Sequence, residues 1–323
     1  MTPDDLNRAC SDFLIQEGVK DGDFVVVVGA GVSIPMIPAG KGLRSEMATN
    51  CGIPNDETEP YWDFFQRAKT EAPKNFRETI IKTFCEPPEW HSEACSQIVR
   101  LPCKSIITLN YDDHLQDAFS VKFGSGWQER FAVYPIQPGK GFAWPAEFAH
   151  KFHLLAAHGY RVRDIDAVEP DLEASWPDDG IILTRSQFEE HYFGDNRGHL
   201  LFHWWEEVFC RFSCLFLGTS LQEPGIEGVI SKLLDDKNPD FLKNKRIQLQ
   251  NVSTERVDSP EGERKIYPKP NPPLKSVSQI QYDPKQGFRG LLEILATLTG
   301  VPLRGPLESA KRAPSPPPSF SIS

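Results

Sequence analysis

Short unbroken runs of apolar residues recur along this chain, and several pass directly into small or polar residues. The clearest run is Phe-Val-Val-Val-Val at 24–28, which continues as Gly29-Ala30-Gly31-Val32-Ser33. Similar runs occupy 105–109, 131–134, 151–155, 180–184, 213–217, 246–249 and 277–282. Runs this short and rich in β-branched residues are typical of strands that a parallel sheet buries on both faces. The pattern therefore predicts a mainly parallel sheet.

Between these runs, apolar residues return at helical spacing. Such segments span 4–18, 197–212 and 287–299. The stretch 41–104 also has helical spacing and is too long for a simple crossover, so it indicates a helical insert. We expect an α/β fold with helices on both faces of the sheet, as one domain over 1–302. Residues 303–323 are rich in Pro and Ser and poor in apolar side chains, so we expect a flexible tail there.

The first candidate site is the glycine run that follows the valine strand. Gly29 and Gly31 lack side chains, so the backbone around Ala30 can approach a phosphate closely. A plain strand-to-helix turn would explain the same residues. The run departs from the Gly-x-Gly-x-x-Gly pattern of hydride-transfer enzymes, because Ile34 stands where the third glycine belongs.

The second candidate follows the run at 105–109, where Asn110 and Asp112 stand two residues apart. An amide can donate to and accept from another amide, and a carboxylate binds sugar hydroxyls well. The alternative is that this segment is only a turn and an N-cap for a helix that begins near Asp113.

The third and fourth candidates also follow apolar runs. His158 precedes Gly159, and an imidazole suits general-base work near neutral pH, although a packed or surface histidine is the alternative. Gly218, Thr219 and Ser220 offer hydroxyls for ribose or phosphate, or simply cap a helix. Since ligands bind at the carboxyl ends of parallel strands, all four candidates belong to the same edge of the predicted sheet.

The amino-acid composition limits the classes of partner that we expect this protein to bind. The chain has 45 acidic and 35 basic residues and a net charge of −10. This excess of acid argues against a general affinity for nucleic acid or an anionic membrane. No apolar run approaches the roughly 18 residues of a membrane span, and the first residues lack the features of a signal peptide. The sequence predicts a soluble cytoplasmic protein.

Metal binding has little support in the sequence. The seven cysteines are scattered, which favours reduced thiols. Cys210 and Cys214 stand four residues apart, as do His199 and His203, but each pair would need further ligands. We therefore expect no metal. The aromatic residues around 202–212 are expected in the core or at an oligomer interface.

Taken in order, the four motifs resemble the SIR2 (sirtuin) superfamily. In that superfamily a Gly-Ala-Gly-x-Ser loop, a Thr-x-Asn-x-Asp motif, a His-Gly pair and a Gly-Thr-Ser segment surround NAD. The segments 181–188 and 217–221, with the ending near 280–282, look most like the SIR2-like domains of bacterial antiphage defence proteins. The resemblance covers about residues 20–300 and implies a Rossmann-like sheet.

Two departures from the deacetylase sirtuins limit what the resemblance implies. Those enzymes carry a zinc ribbon of two Cys-x-x-Cys pairs after the His-Gly pair, but no cysteine stands between His158 and Cys210. After Ser33 the chain also lacks their Gly-Ile-Pro-x-Phe-Arg continuation. We therefore expect no zinc ribbon and no acyl-peptide groove.

The resemblance implies an NAD+ glycohydrolase that releases ADP-ribose and nicotinamide, without a metal. Asn110 and His158 would be catalytic, and the backbone from Gly29 to Ser33 would hold the pyrophosphate. Asp112 would support Asn110 or the nicotinamide. The segment Gly218-Thr219-Ser220 would contact the adenosine side.

Two alternatives stay open, as does the question of control. The same site would also suit ADP-ribosyl transfer or cyclisation, and a non-catalytic module could bind NAD or ADP-ribose to control assembly. An unregulated NADase is harmful, so the resemblance implies a homo-oligomer or a separately encoded sensor, such as a nucleotide-processing or ATPase subunit. The insert and the tail are the candidate contact surfaces.

Overall fold

The computed structural model describes residues 3–33, 40–85, 93–134, 143–159, 181–193, 200–219, 221, 224–251, 254–258, 264–268, 278–282 and 288–303. Its strands are β1 (Phe24–Val28), β2 (Ser105–Thr108), β3 (Phe131–Val133), β4 (His153–Ala156), β5 (Ser213–Leu217), β6 (Arg246–Asn251), β7 (Thr254–Asp258), β8 (Arg264–Pro268) and β9 (Ser278–Tyr282). Seven of them form one parallel sheet in the order β3-β4-β2-β1-β5-β6-β9. The predicted parallel α/β sheet is confirmed.

The helices occupy the connections between the strands. They are α1 (Pro3–Gln16), α2 (Gly40–Cys51), α3 (Tyr61–Glu71), α4 (Pro73–Cys85), α5 (Glu93–Ile98), α6 (His114–Phe123), α7 (Arg185–Phe188), α8 (Leu200–Arg211), α9 (Pro224–Asp235), α10 (Pro239–Lys243) and α11 (Phe288–Thr299). Short 3₁₀ turns lie at Val19–Asp21, Ala30–Val32, Gly124–Arg130 and Pro145–Ala149, and a π-helical turn follows α7 at Glu189–Phe193. No helix in the described residues is long and apolar enough to cross a membrane.

Strand β1 lies in the middle of the sheet, and its five residues are all buried. Val26 and Val28 belong to the core cluster shared with α1 and α11, whereas Val25 and Val27 belong to the cluster shared with α8 and α9. Burial on both faces explains why this strand reads as an unbroken valine run rather than an alternating one.

Two of the predicted elements differ in the structure. The apolar run at 180–184 is not a strand in its described part: Ile181 makes one isolated bridge to Gly159, and Thr184 then caps α7 through Gln187. The run is apolar because it fills core clusters. The loop expected at 253–275 contains the antiparallel pair β7 and β8, whose residues are too polar to signal a buried strand.

The helical insert divides into two parts. Helices α2, α3 and α4 share their own core, which includes Met47, Phe64, Phe65 and Ile80. Helix α5 packs instead against α11 and joins the core on one face of the sheet. The part of the expected tail from 304 to 323 lies outside the described residues.

Candidate functional site

The strand order brings the candidate motifs to one edge of the sheet. Val28 of β1 pairs in register with Thr108 of β2 and Leu217 of β5, and Thr108 pairs with Ala156 of β4. The four neighbouring strands β4, β2, β1 and β5 therefore end side by side. The chain leaves β1 toward β2 and later returns to its other side as β5, which makes this edge a topological switch point.

The glycine loop and the end of β5 are interlocked. Gly29 N–H donates to the carbonyl of Leu217 at 2.9 Å, and Gly31 N–H donates to the carbonyl of Gly218 at 2.7 Å. A Cβ atom at Gly29 would lie 2.7 Å from Cβ of Thr219, and one at Gly31 would lie 2.8 Å from Cα of Gly218. These glycines are thus required by the packing of the protein against itself, a reason that the sequence did not reveal.

Gly218 lies on the other side of the same contact, and there too a side chain would clash. Its φ is +64°, and a Cβ atom there would lie 2.6 Å from the backbone nitrogen of Val32. Thr219 is fixed next to it, because its carbonyl accepts a 2.7 Å bond from Nε2 of Gln248 on β6. Its hydroxyl accepts from the backbone N–H of Leu221 at 3.2 Å. Ser220, the third residue of this predicted motif, lies outside the described residues.

Ser33, Asn110 and Asp112 form a buried hydrogen-bonded network. The Ser33 hydroxyl donates to Oδ2 of Asp112 at 2.9 Å and accepts from Nδ2 of Asn110 at 3.1 Å. The three residues are 1%, 5% and 7% exposed. Because a hydroxyl has one hydrogen, donation to the carboxylate makes its oxygen the acceptor, and this sets the orientation of the amide. Asn110 therefore uses its nitrogen inside the protein.

Asp112 serves the protein backbone as well. Its second oxygen, Oδ1, accepts from the N–H of His114 at the first turn of α6, at 3.2 Å. The capping alternative weighed for this segment thus holds for Asp112, whereas Asp113 makes no side-chain cap bond. The same carboxylate caps a helix and orients Ser33.

A cavity of about 800 Å³ opens beside this network. The strand edge contributes Gly29, Ala30, Gly31, Ser33, Leu109, Asn110, Tyr111, Asp112, Gly218 and Thr219 to its lining. The insert contributes Gly40, Lys41, Leu43, Arg44, Ser45, Asn55, Glu57, Thr58, Glu59, Pro60, Tyr61, Trp62 and Phe84. Its size falls within the roughly 300–1,000 Å³ of small-molecule sites.

His158 lies elsewhere at this edge. It is 1% exposed and is not among the described residues that line the cavity. Its Nε2 lies 2.9 Å from the hydroxyl of Tyr192, and its ring meets that of Phe188 edge-on at 5.5 Å. Trp62, which lines the cavity, has its ring 4.2 Å from Phe188. Phe188 thus contacts both the cavity-lining Trp62 and the imidazole.

The comparison with protein families agrees with the motifs. The sequence model described as "SIR2-like domain" matches residues 104–258. This segment of the chain is therefore similar to a SIR2-like domain. The matched span includes Asn110, Asp112, His158 and Thr219, and the glycine loop precedes it. The SIR2 family depends on NAD+.

One solved structure resembles this chain loosely. It is described as "Structural Basis for the Mechanism and Regulation of Sir2 Enzymes", and it has 15% sequence identity and a TM-score of 0.41. The likeness covers 92% of this chain and 98% of that one. The search among curated proteins gave no match.

The wall that the insert adds to the cavity was not predicted from the sequence. Arg44, 6% exposed, donates to the carbonyls of Asp56 and Glu59, and its guanidinium lies 4.5 Å from the ring centre of Phe64. Arg67 pairs with the Glu59 carboxylate at 2.7 Å and approaches the same ring from its own helix. Together they hold the segment 54–60 against the cavity. The available signal was Arg44 itself, a charge on the apolar face of a helix.

The described residues contain no group of side chains arranged to bind a metal ion. No three His, Cys, Asp or Glu side chains there could hold a metal ion together. His203 instead contacts Glu206 at 2.6 Å, and His199 lies outside the described residues. Burial raises the pKa of the Cys214 thiol to about 12, so it remains a protonated core residue.

Proposed function

We propose that this protein is an NAD+ glycohydrolase that cleaves the bond between nicotinamide and ribose. The observation that carries the proposal is the network of Ser33, Asn110 and Asp112, which meets the cavity at the topological switch point of the sheet. It unites two motifs that are distant in sequence. The NAD+ dependence of the SIR2 family supplies the substrate class.

The lining suggests how the dinucleotide would lie. The loop from Gly29 to Ser33 and the turn at Thr219 border one part of the cavity, so we place the pyrophosphate and the adenosine there. The nicotinamide ribose would then lie near Asn110 and Asp112. Because Nδ2 of Asn110 donates to Ser33, its Oδ1 is the atom that would accept from the nicotinamide carboxamide or from water.

The reaction needs few chemical groups. The bond from C1′ of the ribose to the nicotinamide nitrogen breaks, and the electron pair leaves with nicotinamide, which becomes neutral. The sugar passes through an oxocarbenium-like state, which the carboxylate of Asp112 would stabilise by charge. The oxygen of water forms the new bond to C1′, and one proton is released. The products are nicotinamide, ADP-ribose and that proton.

His158 is the proposed general base. It follows β4 as Asn110 follows β2, and these strands are neighbours. In the proposal, it takes the proton from a ribose hydroxyl or from the attacking water. His158 is not among the described lining residues and its ring packs against Phe188, so this role requires a path from the cavity past Phe188 and Trp62.

The resemblance to bacterial antiphage proteins supplies the biological proposal. NAD+ depletion would arrest an infected cell, and a homo-oligomer or a separately encoded sensor would control the enzyme. The exposed surface of the insert is the proposed contact for such a partner. The cavity-facing parts of α2 and α3 belong to the site itself.

The direct test measures NAD+, nicotinamide and ADP-ribose by chromatography after incubation with the full-length protein, with and without the product of the neighbouring gene. We expect equal amounts of nicotinamide and ADP-ribose. Asn110→Ala should abolish cleavage, and His158→Ala should lower it by about a hundredfold or more. Asn50→Ala, which alters an exposed side chain of α2, is the matched control.

The other outcomes identify the alternatives. A cyclic product or labelled protein would replace hydrolysis by cyclisation or ADP-ribosyl transfer at the same site. Intact NAD+ in every condition, with binding detected by calorimetry, would support the non-catalytic module instead.

A further inference from the structure

We infer that Arg44 and Arg67 are positioning residues for substrate binding, because they fix the segment 54–60 as a preformed wall of the cavity. This inference rests on the proposed function, since it concerns how the dinucleotide is held. The segment lies between α2 and α3 and is neither helix nor strand, so its position depends on the side chains that bind its backbone. The residues of the segment that border the cavity are Asn55, Glu57, Thr58, Glu59 and Pro60.

Arg44 binds the segment from α2. Each of its three guanidinium nitrogens donates to an acceptor within it: Nε to Oδ1 of Asn55 at 2.9 Å, Nη1 to the carbonyl of Glu59 at 2.8 Å, and Nη2 to the carbonyl of Asp56. The side chain is 8% exposed. A planar guanidinium can bind several acceptors in a fixed arrangement, which an ammonium group cannot do. Arg44 borders the cavity, but these bonds direct its guanidinium to the segment.

Arg67 binds the same segment from α3. Its Nη2 donates to the carbonyl of Pro54 at 3.0 Å and to the carboxylate of Glu59 at 2.7 Å, and its Nε donates to that carboxylate at 3.1 Å. Unlike Arg44, it is not among the described residues that line the cavity. We therefore expect Arg67 to affect a ligand through the segment that it holds, which makes it the better probe of positioning.

A preformed wall should matter for affinity more than for chemistry. Without the guanidinium bonds, the irregular segment gains conformational freedom that binding must remove. The apparent Kd then rises in inverse proportion to the fraction of molecules whose wall is in place. Once the substrate has bound, the wall is in place in every molecule. Loss of either arginine should therefore raise the Kd and the KM while kcat changes little.

The test measures the Kd of ADP-ribose by calorimetry, and the kcat and KM of NAD+ cleavage, in the full-length protein. Arg44→Lys and Arg67→Lys keep the positive charge but lose the planar set of donors. We expect each change to raise the Kd and the KM about tenfold, as when about a tenth of the molecules keep the wall in place, and to leave kcat within about twofold. Arg289→Lys is the matched control, because Arg289 is an exposed arginine that pairs with Glu293 within α11.

The other outcomes are distinct. An unchanged Kd in both variants, with a lower urea midpoint, would show that the two arginines stabilise the insert without positioning a ligand. A loss of affinity in Arg44→Lys alone would indicate direct contact between Arg44 and the ligand, and would overturn the positioning role. If Arg44→Lys does not fold, the Kd of Arg67→Lys decides.

The binding measurement also separates this inference from the proposed reaction, because it needs no cleavage. A wild-type protein that binds ADP-ribose but leaves NAD+ intact would contradict the hydrolysis alone, and the variants would still test the wall. A wild-type protein that does not bind ADP-ribose would overturn the inference.

Discussion

The two proposed catalytic groups lie in contrasting surroundings at the same edge of the sheet. Asn110 belongs to a polar network that borders the cavity. His158 is buried against Phe188 and Tyr192, and Phe188 in turn contacts the cavity-lining Trp62. The cavity end is therefore organised by hydrogen bonds between distant loops, and the enclosed end by aromatic packing. A motif can thus place two residues on adjacent strands while the packing gives them unequal access to substrate.

The largest effect should come from breaking the interlocked loops at the cavity end. Gly218→Ala introduces a Cβ atom 2.6 Å from the Val32 nitrogen, at a residue whose φ is positive. We expect the free energy of unfolding to fall by about 3 kcal/mol or more, measured by urea denaturation. Gly52→Ala is the matched control, because Gly52 has φ +66° with nothing within 4 Å of the added atom.

This control separates the effect of the close contact on stability from the effect of backbone strain. Gly52→Ala should lose only about 1–2 kcal/mol, the strain of an alanine at positive φ. Equal losses in the two variants would show that the loops do not depend on this close contact.

The network itself is tested by Ser33→Ala. This change removes the acceptor of Asn110 and a donor to Asp112, so the amide loses its fixed orientation. We expect kcat to fall about a hundredfold, the typical effect of a misplaced catalytic group, with a small change in stability. Ser11→Ala is the control, since Ser11 is equally buried and its hydroxyl donates to the Asn7 carbonyl within α1. Wild-type kcat in Ser33→Ala would remove the network from the mechanism.

The aromatic packing of Trp62 and Phe188 next to His158 can be opened from the cavity side. Trp62→Leu should raise the rate at which diethyl pyrocarbonate modifies His158 severalfold, because the ring that covers Phe188 is lost. Peptide mapping by mass spectrometry would follow that one histidine. Trp144→Leu, at an exposed tryptophan, should leave the rate unchanged. An unchanged rate in Trp62→Leu would mean that the enclosure does not include Trp62.

The smallest effect concerns His153. It is the first residue of β4, the strand that His158 follows. Burial lowers the pKa of His153. The folded protein therefore binds this proton less readily than the unfolded chain, whose histidine pKa is about 6.5. The contribution to stability is full above that value and is lost as the pH falls below it. Urea midpoints at pH 7.5 and 5.5 should differ less in His153→Gln than in the wild type, whereas His150→Gln, at an exposed histidine, should behave as the wild type.

The sequence was sufficient to predict the features that follow a simple pattern of apolar and polar residues. The valine run of β1 predicted a strand buried on both faces, and the polar residues after each run predicted the edge where the motifs meet. The run at 180–184 was misassigned because an apolar segment that fills a core without pairing looks the same as a strand. The contacts of Arg44, Tyr192 and Gly225 could not be predicted, since each depends on a partner brought close only by the fold.

The interlocked loops also determine when the site can exist during synthesis. The glycine loop of residues 29–33 leaves the ribosome early, but its hydrogen-bond partners at Leu217 and Gly218 follow much later in the chain. Until β5 docks beside β1, the loop has no support and the cavity lacks a wall. The cavity can therefore be completed only after β5 has been synthesised, and a chain that ends before residue 213 would lack this wall.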